Sequence, residues 1–267
     1  VRAGAEADGP FFLRASLGDD INQESQSTAE LLHWIGVGNG KKWVDVGCGT
    51  GALTQTILAT HDPTLVMGVD RSEQFLRHAH DRTRGQRALF AVSDGQALPL
   101  VSEVFDAAVS GLVLNFVPEP AQMVSEMARV IRPGGVCALY VWDYAGKMEL
   151  LRYFFDSAIK LDPEVRKLDE GERFPICQSD ALNELFVACG LAEVDTRPLE
   201  VPTVFKDFDD YWTPFLGGQG PAPSYTMSLS PEKRAALRET TREALPIEED
   251  GSINLIARAW AVTGKKA

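Results

Sequence analysis

The stretch Trp43-Val44-Asp45-Val46-Gly47-Cys48-Gly49-Thr50-Gly51, continued by Ala52-Leu53-Thr54, decides how the fold is read. A short apolar run stops in three alternating glycines, and a helical pattern starts at once. This is the signature of a buried parallel strand that turns tightly into a helix. Glycine lacks a Cβ, so the turn can take backbone angles closed to other residues, and a ligand can come close to the main chain. The first N–H groups of the helix then face whatever lies above the strand, which suits a nucleotide-type ligand.

Outward from this turn the pattern repeats. Further strands are expected at residues 65–69, 88–92, 105–110 and 136–142, each bounded by polar or glycine residues. Helices are expected at 22–35, at 52–60 with Leu53, Ile57 and Leu58 inward, and after Ser72, which can cap it. Another follows Pro118 and Pro120, with Val124, Met127, Ala128 and Ile131 at helical spacing, and Pro133-Gly134-Gly135 ends it. Alternating strands and helices imply a doubly wound, parallel α/β sheet with right-handed crossovers. Beyond Asp143 the rhythm changes. Helices are expected at 147–161, at 179–189 with Ser179 as cap, and at 231–245; 193–205 reads as extended, 217–223 as a loop and 253–262 as a last strand.

Composition narrows the function. The 267 residues carry 38 acidic against 26 basic side chains, a formal charge of −12, which argues against a nucleic-acid partner. No apolar run reaches the length of a membrane span. Cys48, Cys137, Cys177 and Cys189 show neither metal-site nor disulfide-scaffold spacing, so no metal is expected and a reducing, cytoplasmic setting is the default. The start at Val1, without Met and without an apolar signal core, suggests a trimmed N-terminus. The oligomeric state stays open.

In open α/β sheets ligands bind beyond the carboxyl ends of the strands. Those ends carry Gly47, Asp70, Asp94 and Ser110-Gly111. The Asp70 carboxylate, one strand after the turn, suits a pair of ribose hydroxyls. The glycines read G-x-G-x-G, whereas a pyrophosphate grip uses G-x-G-x-x-G.

The order Val44-Asp45-Val46-Gly47-Cys48-Gly49-Thr50-Gly51, Gly68-Val69-Asp70, Asp94-Gly95-Gln96-Ala97-Leu98-Pro99-Leu100, Phe105-Asp106-Ala107-Ala108-Val109 and Ala128-Arg129-Val130-Ile131-Arg132-Pro133-Gly134-Gly135 resembles the class I S-adenosylmethionine-dependent methyltransferases. Within them it is similar to the type 11 small-molecule group that includes the quinone-biosynthesis C-methyltransferases. The resemblance implies a Rossmann-like, mostly parallel seven-stranded sheet with helical cap insertions. It implies S-adenosyl-L-methionine as cofactor and S-adenosyl-L-homocysteine as product. Gly47, Gly49 and Thr50 would line the methionine part, helped by the Asp45 carboxylate. Asp70 would hold the ribose and Arg71 would pack along the adenine, although that place is often apolar in the family. Asp94, with the backbone of Gly95 and Gln96, would read the adenine edge, and Leu112 would cover the methionine side.

The expected organisation is an N-terminal arm and helix (1–40) as a lid, a cofactor-binding core (41–145), and a region 146–267 with remaining strands and caps at about 146–178 and 206–248. Phe11, Phe12, Phe154, Phe155, Phe174, Trp212, Phe215 and Tyr225 in these parts point to an apolar or aromatic small-molecule acceptor, or else glue the caps together. A general base is needed only where the acceptor must lose a proton, and His33, Asp143, Tyr144, Tyr211 and Tyr225 are the weak candidates. The alternatives are a nicotinamide-dependent oxidoreductase on a similar sheet and a catalytically silent cofactor-binding protein.

Overall fold

A computed structural model describes residues 20–217 and 220–267 of the chain, so Phe11 and Phe12 lie outside the described residues. Helix α1 (Asp20–Ile35) precedes β1 (Lys42–Val46), α2 (Ala52–Thr60), β2 (Leu65–Asp70), α3 (Glu73–Arg82), β3 (Ala88–Val92) and β4 (Phe105–Gly111). A 3-10 turn (Leu114–Phe116), α4 (Pro120–Val130) and β5 (Ile131–Trp142) follow. The remaining elements are α5 (Glu149–Leu161), a 3-10 turn (Pro163–Leu168), α6 (Glu170–Arg173), α7 (Ser179–Ala188), β6 (Leu191–Phe205), α8 (Phe208–Trp212), a 3-10 turn (Thr213–Leu216), α9 (Pro221–Ser228), α10 (Pro231–Ala244) and β7 (Ile253–Lys266).

The seven strands run in the order β3-β2-β1-β4-β5-β7-β6. β1 is parallel to both β2 and β4, with Trp43 opposite Val66 on one side and Ala107 on the other. The chain therefore leaves β1 in one direction and returns to its other flank as β4, and the glycine turn stands at that reversal. Trp43, Val44 and Val46 are buried, as a central strand covered on both faces requires. β3, at the edge, leaves Leu89 and Val92 exposed.

By internal packing the described residues fall into two compact units. One comprises 24–141, 178–199 and 260–267; the other comprises 142–177 and 200–259, with the residues before 24.

In the first unit, Ser72 caps α3 as expected, its hydroxyl accepting from the Phe75 N–H. β5 begins earlier than the sequence suggests. Ile131 pairs with Phe105, the register then shifts, and Val136 pairs with Ala107. Arg132–Gly135 form the irregularity: Gly134 takes φ 75° and Arg132 bonds to Asp106 at 2.5 Å. Proline and glycine thus mark a bulge here, while the helix stops at Val130. Ser179 is the first helical residue of α7, and extended Gln178 occupies the cap position, so the expected serine cap is corrected.

In the second unit, Phe154 stacks on Phe215 at 4.4 Å and Trp212 lies 5.8 Å from Phe215, with Phe155 edge-on to Phe154. These four rings are buried and form the core of that unit. The expectation that they line an acceptor pocket gives way to the packing reading; Phe174 and Tyr225 stay half-buried. Pro221 opens a helix inside the segment expected to be a loop, because its fixed φ suits a first turn.

Candidate functional site

The three turn glycines all adopt positive φ, at 74°, 52° and 86° for Gly47, Gly49 and Gly51. Their surroundings differ. A Cβ on Gly47 would stand 2.6 Å from the Val113 side chain, and one on Gly51 would stand 3.0 Å from the Ala79 Cβ. A Cβ on Gly49 would meet nothing within 4 Å among the described residues, which leave space beside this glycine. The turn is tied to β2 by the Gly47 and Cys48 N–H groups, which donate to the Val69 carbonyl at 2.8 and 3.0 Å. Cys48 packs inside it, where burial pushes the thiol well above its ordinary value and makes it inert.

Asp70 joins the turn to the next helix. Its Oδ2 accepts from the Gly49 N–H at 2.9 Å and its Oδ1 from the Ser72 N–H at 2.8 Å. One bond on each oxygen leaves further lone pairs. Asp45 is buried and accepts from the Thr54 hydroxyl at 2.7 Å, which fastens β1 to α2. Through this bond Asp45 braces the turn from below. Thr50 is nearly buried, and among the described residues its Oγ1 has no hydrogen-bond partner.

Asp94 Oδ1 accepts from the Gln96 N–H at 2.9 Å and from its side-chain amide at 3.1 Å. The backbone bond from Gln96 chiefly holds the carboxyl below its ordinary value, and the Arg71 charge adds to this. Gln96 in turn accepts from the Glu119 N–H at 2.9 Å, at the start of α4. Gly95 lies against Val46, whose Cγ1 would stand 3.0 Å from an added Cβ. Arg71 is exposed. Leu112 is buried at φ 58°, and its N–H donates to the Tyr140 carbonyl at 2.9 Å. The ends of β1 to β4 therefore carry together every cofactor residue expected from the sequence, with Asp45 beneath them.

The general-base candidates fare differently. Asp143 is buried and accepts from Arg258 Nε at 2.7 Å and from the Gly146 and Lys147 N–H groups at 3.0 Å each. Tyr211 is fully buried, donates to the Leu150 carbonyl at 2.8 Å, and has its pKa driven well up by burial. Both are engaged in the packing of their unit. Tyr225, half-buried, is pushed up by burial and then by Asp162. Tyr144 packs 5.8 Å from Phe174, and His33 is exposed in the last turn of α1.

Sequence reading missed the residues that support the site from a distance. Arg129 donates to the Leu98 and Leu100 carbonyls at 3.0 and 2.8 Å and is paired with Glu126, whose Oε2 accepts from the Leu98 N–H at 2.8 Å. Together they clamp the loop that carries Asp94. Tyr140 shares a 2.9 Å bond with Thr28 of α1. Val113 and Tyr140 carried no local signal, since each acts across the sheet ends. Among the described residues no acidic, histidine or cysteine cluster fits a metal ion, and no helix is long and apolar enough to cross a membrane.

A family model described as a methyltransferase domain matches residues 44–139. The chain is 30% identical over 201 residues to the methyltransferase GfsG of Streptomyces halstedii, covering 74% of this chain and 71% of that protein. It is 29% identical over 206 residues to a 2-methyl-6-phytyl-1,4-hydroquinone methyltransferase of Synechocystis, with 73% of this chain and 63% of the relative covered. Among solved structures, phosphoethanolamine N-methyltransferase 2 of Haemonchus contortus, in complex with phosphomonomethylethanolamine and S-adenosylhomocysteine, superposes with a TM-score of 0.56. That match has 15% identity and covers 90% of this chain and 52% of the other, a likeness of fold.

Proposed function

Because this chain belongs to the S-adenosylmethionine-dependent methyltransferases, we propose that it binds S-adenosyl-L-methionine over Gly47–Gly51 and methylates a small apolar or aromatic molecule, leaving S-adenosyl-L-homocysteine. The residues at the strand ends fit such a cofactor. Gly49 leaves room at the turn, the Thr50 hydroxyl, unpaired among the described residues, would offer a bond to the amino-acid part, and the Asp70 carboxylate keeps lone pairs that would accept from ribose hydroxyls. Asp94, held ionised by Gln96, can accept from the adenine amino group. The sulfonium supplies an activated methyl group, so the protein contributes mainly alignment, worth up to roughly 7–11 kcal/mol in favourable cases.

The proposed division of labour assigns cofactor binding to residues 41–145, and acceptor selection to 1–40 and the caps at about 146–178 and 206–248. A small-molecule acceptor accords with the hydroquinone named for the Synechocystis relative, and the charge of −12 speaks against nucleic acid. Neither an oxidoreductase nor a silent binder is favoured by these relatives. A reducing, cytoplasmic setting is part of the same reading, in keeping with four free thiols.

The observation that carries the assignment is the Asp70 carboxylate, fixed by the Gly49 and Ser72 N–H groups beside the open space at Gly49. Asp70→Ala removes charge-assisted acceptors and is expected to weaken S-adenosylmethionine at least about tenfold. Calorimetry checks this, and an unchanged dissociation constant would sink the ribose assignment.

A further inference from the structure

β3 (Ala88–Val92) ends one side of the sheet, with β2 on its inner flank and no strand on its outer flank among the described residues. The Arg87 carbonyl accepts from the Val66 N–H and the Ser93 N–H donates to the Asp70 carbonyl, so residues 87 and 93 turn their backbone towards β2. Successive residues of a strand alternate in this respect, and the pairing with β2 runs unbroken from Ala88 to Val92. The N–H and C=O groups of Ala88, Phe90 and Val92 therefore face outward. Nothing in the strand shields them. Ala88-Leu89-Phe90-Ala91-Val92 holds no charge and no proline, the usual protections of a free edge. Its bulkiest side chain, Phe90, leans back over Gly68, where an added Cβ would stand 2.6 Å from the ring. Leu89 and Val92, on opposite faces, are 56% and 57% exposed.

An open apolar edge is a template for a further strand. Here the strand complements itself. In antiparallel register about Phe90, Ala88 stands opposite Val92 of a second copy and Leu89 opposite Ala91, so each exposed large side chain meets a small one. The outward groups of residues 88, 90 and 92 then bond to those of 92, 90 and 88. A two-fold axis through Phe90 closes the pair and leaves β3 no free flank. Charge sets the direction. Arg82, Arg84 and Arg87 lead into β3 and Asp94 follows it, so antiparallel pairing brings opposite signs together, where parallel pairing would align like ones. Arg84 and Arg87 hold Asp81 and Asp62 only through exposed pairs, which bind them weakly. We infer that the outer edge of β3 is an interface for a second copy of this chain, joined through antiparallel β3 strands. Two short strands cover little area, so the dimer exchanges with single chains. The interface is independent of methyl transfer and goes beyond it.

The whole chain is followed by sedimentation velocity and by amide hydrogen exchange, dilute and concentrated. Wild type is expected to double in mass as its concentration rises, and the amides of Ala88, Phe90 and Val92 to exchange at least about tenfold more slowly in the dimer. Leu89→Lys and Val92→Lys each place a charge in the seam, one on either face of the strand, at a side chain that stands in water in the single chain. Both are expected to melt with wild type in dilute solution and to weaken the dimer at least about tenfold. A wild type that stays single at every concentration, with the amides of 88, 90 and 92 in fast exchange, overturns the inference. So does a dimer that survives either substitution undiminished, which would place the contact elsewhere. Slow exchange of those amides at every dilution overturns it as well, because a segment of the same chain would then cover the edge.

Discussion

Gly47 and Gly49 share a left-handed backbone but answer to different neighbours, and substitution separates the two roles. In Gly47→Ala the new methyl would overlap Val113 at 2.6 Å, on top of the strain at φ 74°. Strain of about 1–2 kcal/mol and overpacking of about 1–3 kcal/mol together make an expected loss of about 2–5 kcal/mol in stability. Gly49→Ala meets open space, so only the strain of about 1–2 kcal/mol applies, while the methyl intrudes where the cofactor is proposed to lie. Urea unfolding beside S-adenosylhomocysteine calorimetry tells them apart: Gly47→Ala loses mainly stability and Gly49→Ala mainly affinity. Equal stability losses would show that the contact with Val113 is relieved by movement. Asp143 offers a second contrast. Its buried pairing with Arg258 predicts that Asp143→Asn lowers stability by about 1.5–3 kcal/mol, since the guanidinium loses its nearest carboxylate and is left with the longer contact to Glu200 at 3.7 Å. The pH profile of methyl transfer should keep its shape, and a lost ionisation in that profile would restore Asp143 as a base.

At the scale of elements, the loop that carries Asp94 depends on α4. Arg129 and Glu126 bind it through the Leu98 and Leu100 backbone, with the Arg129 guanidinium raised above its ordinary pKa chiefly by Glu126. Arg129→Met strips two carbonyls and one carboxylate of a donor, for an expected loss of about 2–3 kcal/mol and a weaker grip on the adenosine end of the cofactor. Denaturation midpoints and S-adenosylmethionine titration check it, and full affinity would mean that the loop holds its shape unaided. The loop itself was legible in the sequence, as were α2, α3, β2 and β3, because apolar spacing and local caps are short-range signals. Asp70 and Asp94 were legible for the same reason, being fixed by position at strand ends. Arg129, Val113 and Tyr140 were not, because their partners lie far along the chain and come together only when β1, β4 and β5 pair. The bulge at Arg132–Gly135 was misread as a helix stop because proline and glycine punctuate both.

Over the whole molecule the sequence was least readable where its aromatic residues are densest. Phe154, Phe155, Trp212 and Phe215 have the same residue types in a lid and in a core, and only tertiary packing decides between them. The unit they hold together also contains Glu170, a buried carboxyl that no other group fully compensates. Burial pushes it from 4.5 up to about 7; Asp169 adds to the rise, and Arg173 and Arg152 oppose it. The folded chain therefore keeps a proton that the unfolded chain has released between about pH 4.5 and 7. Stability from this group is complete below that window, falls as pH rises through it, and levels off above. The span corresponds to about 3 kcal/mol at most. Glu170→Gln keeps the shape and removes the ionisation. It is expected to match wild type at pH 4.5 and to exceed it by up to about 3 kcal/mol at pH 8, read from urea midpoints at both values. A constant difference across pH would mean that Glu170 escapes to water as it ionises. A variant less stable at pH 8 would mean that the charged form has a partner within the fold.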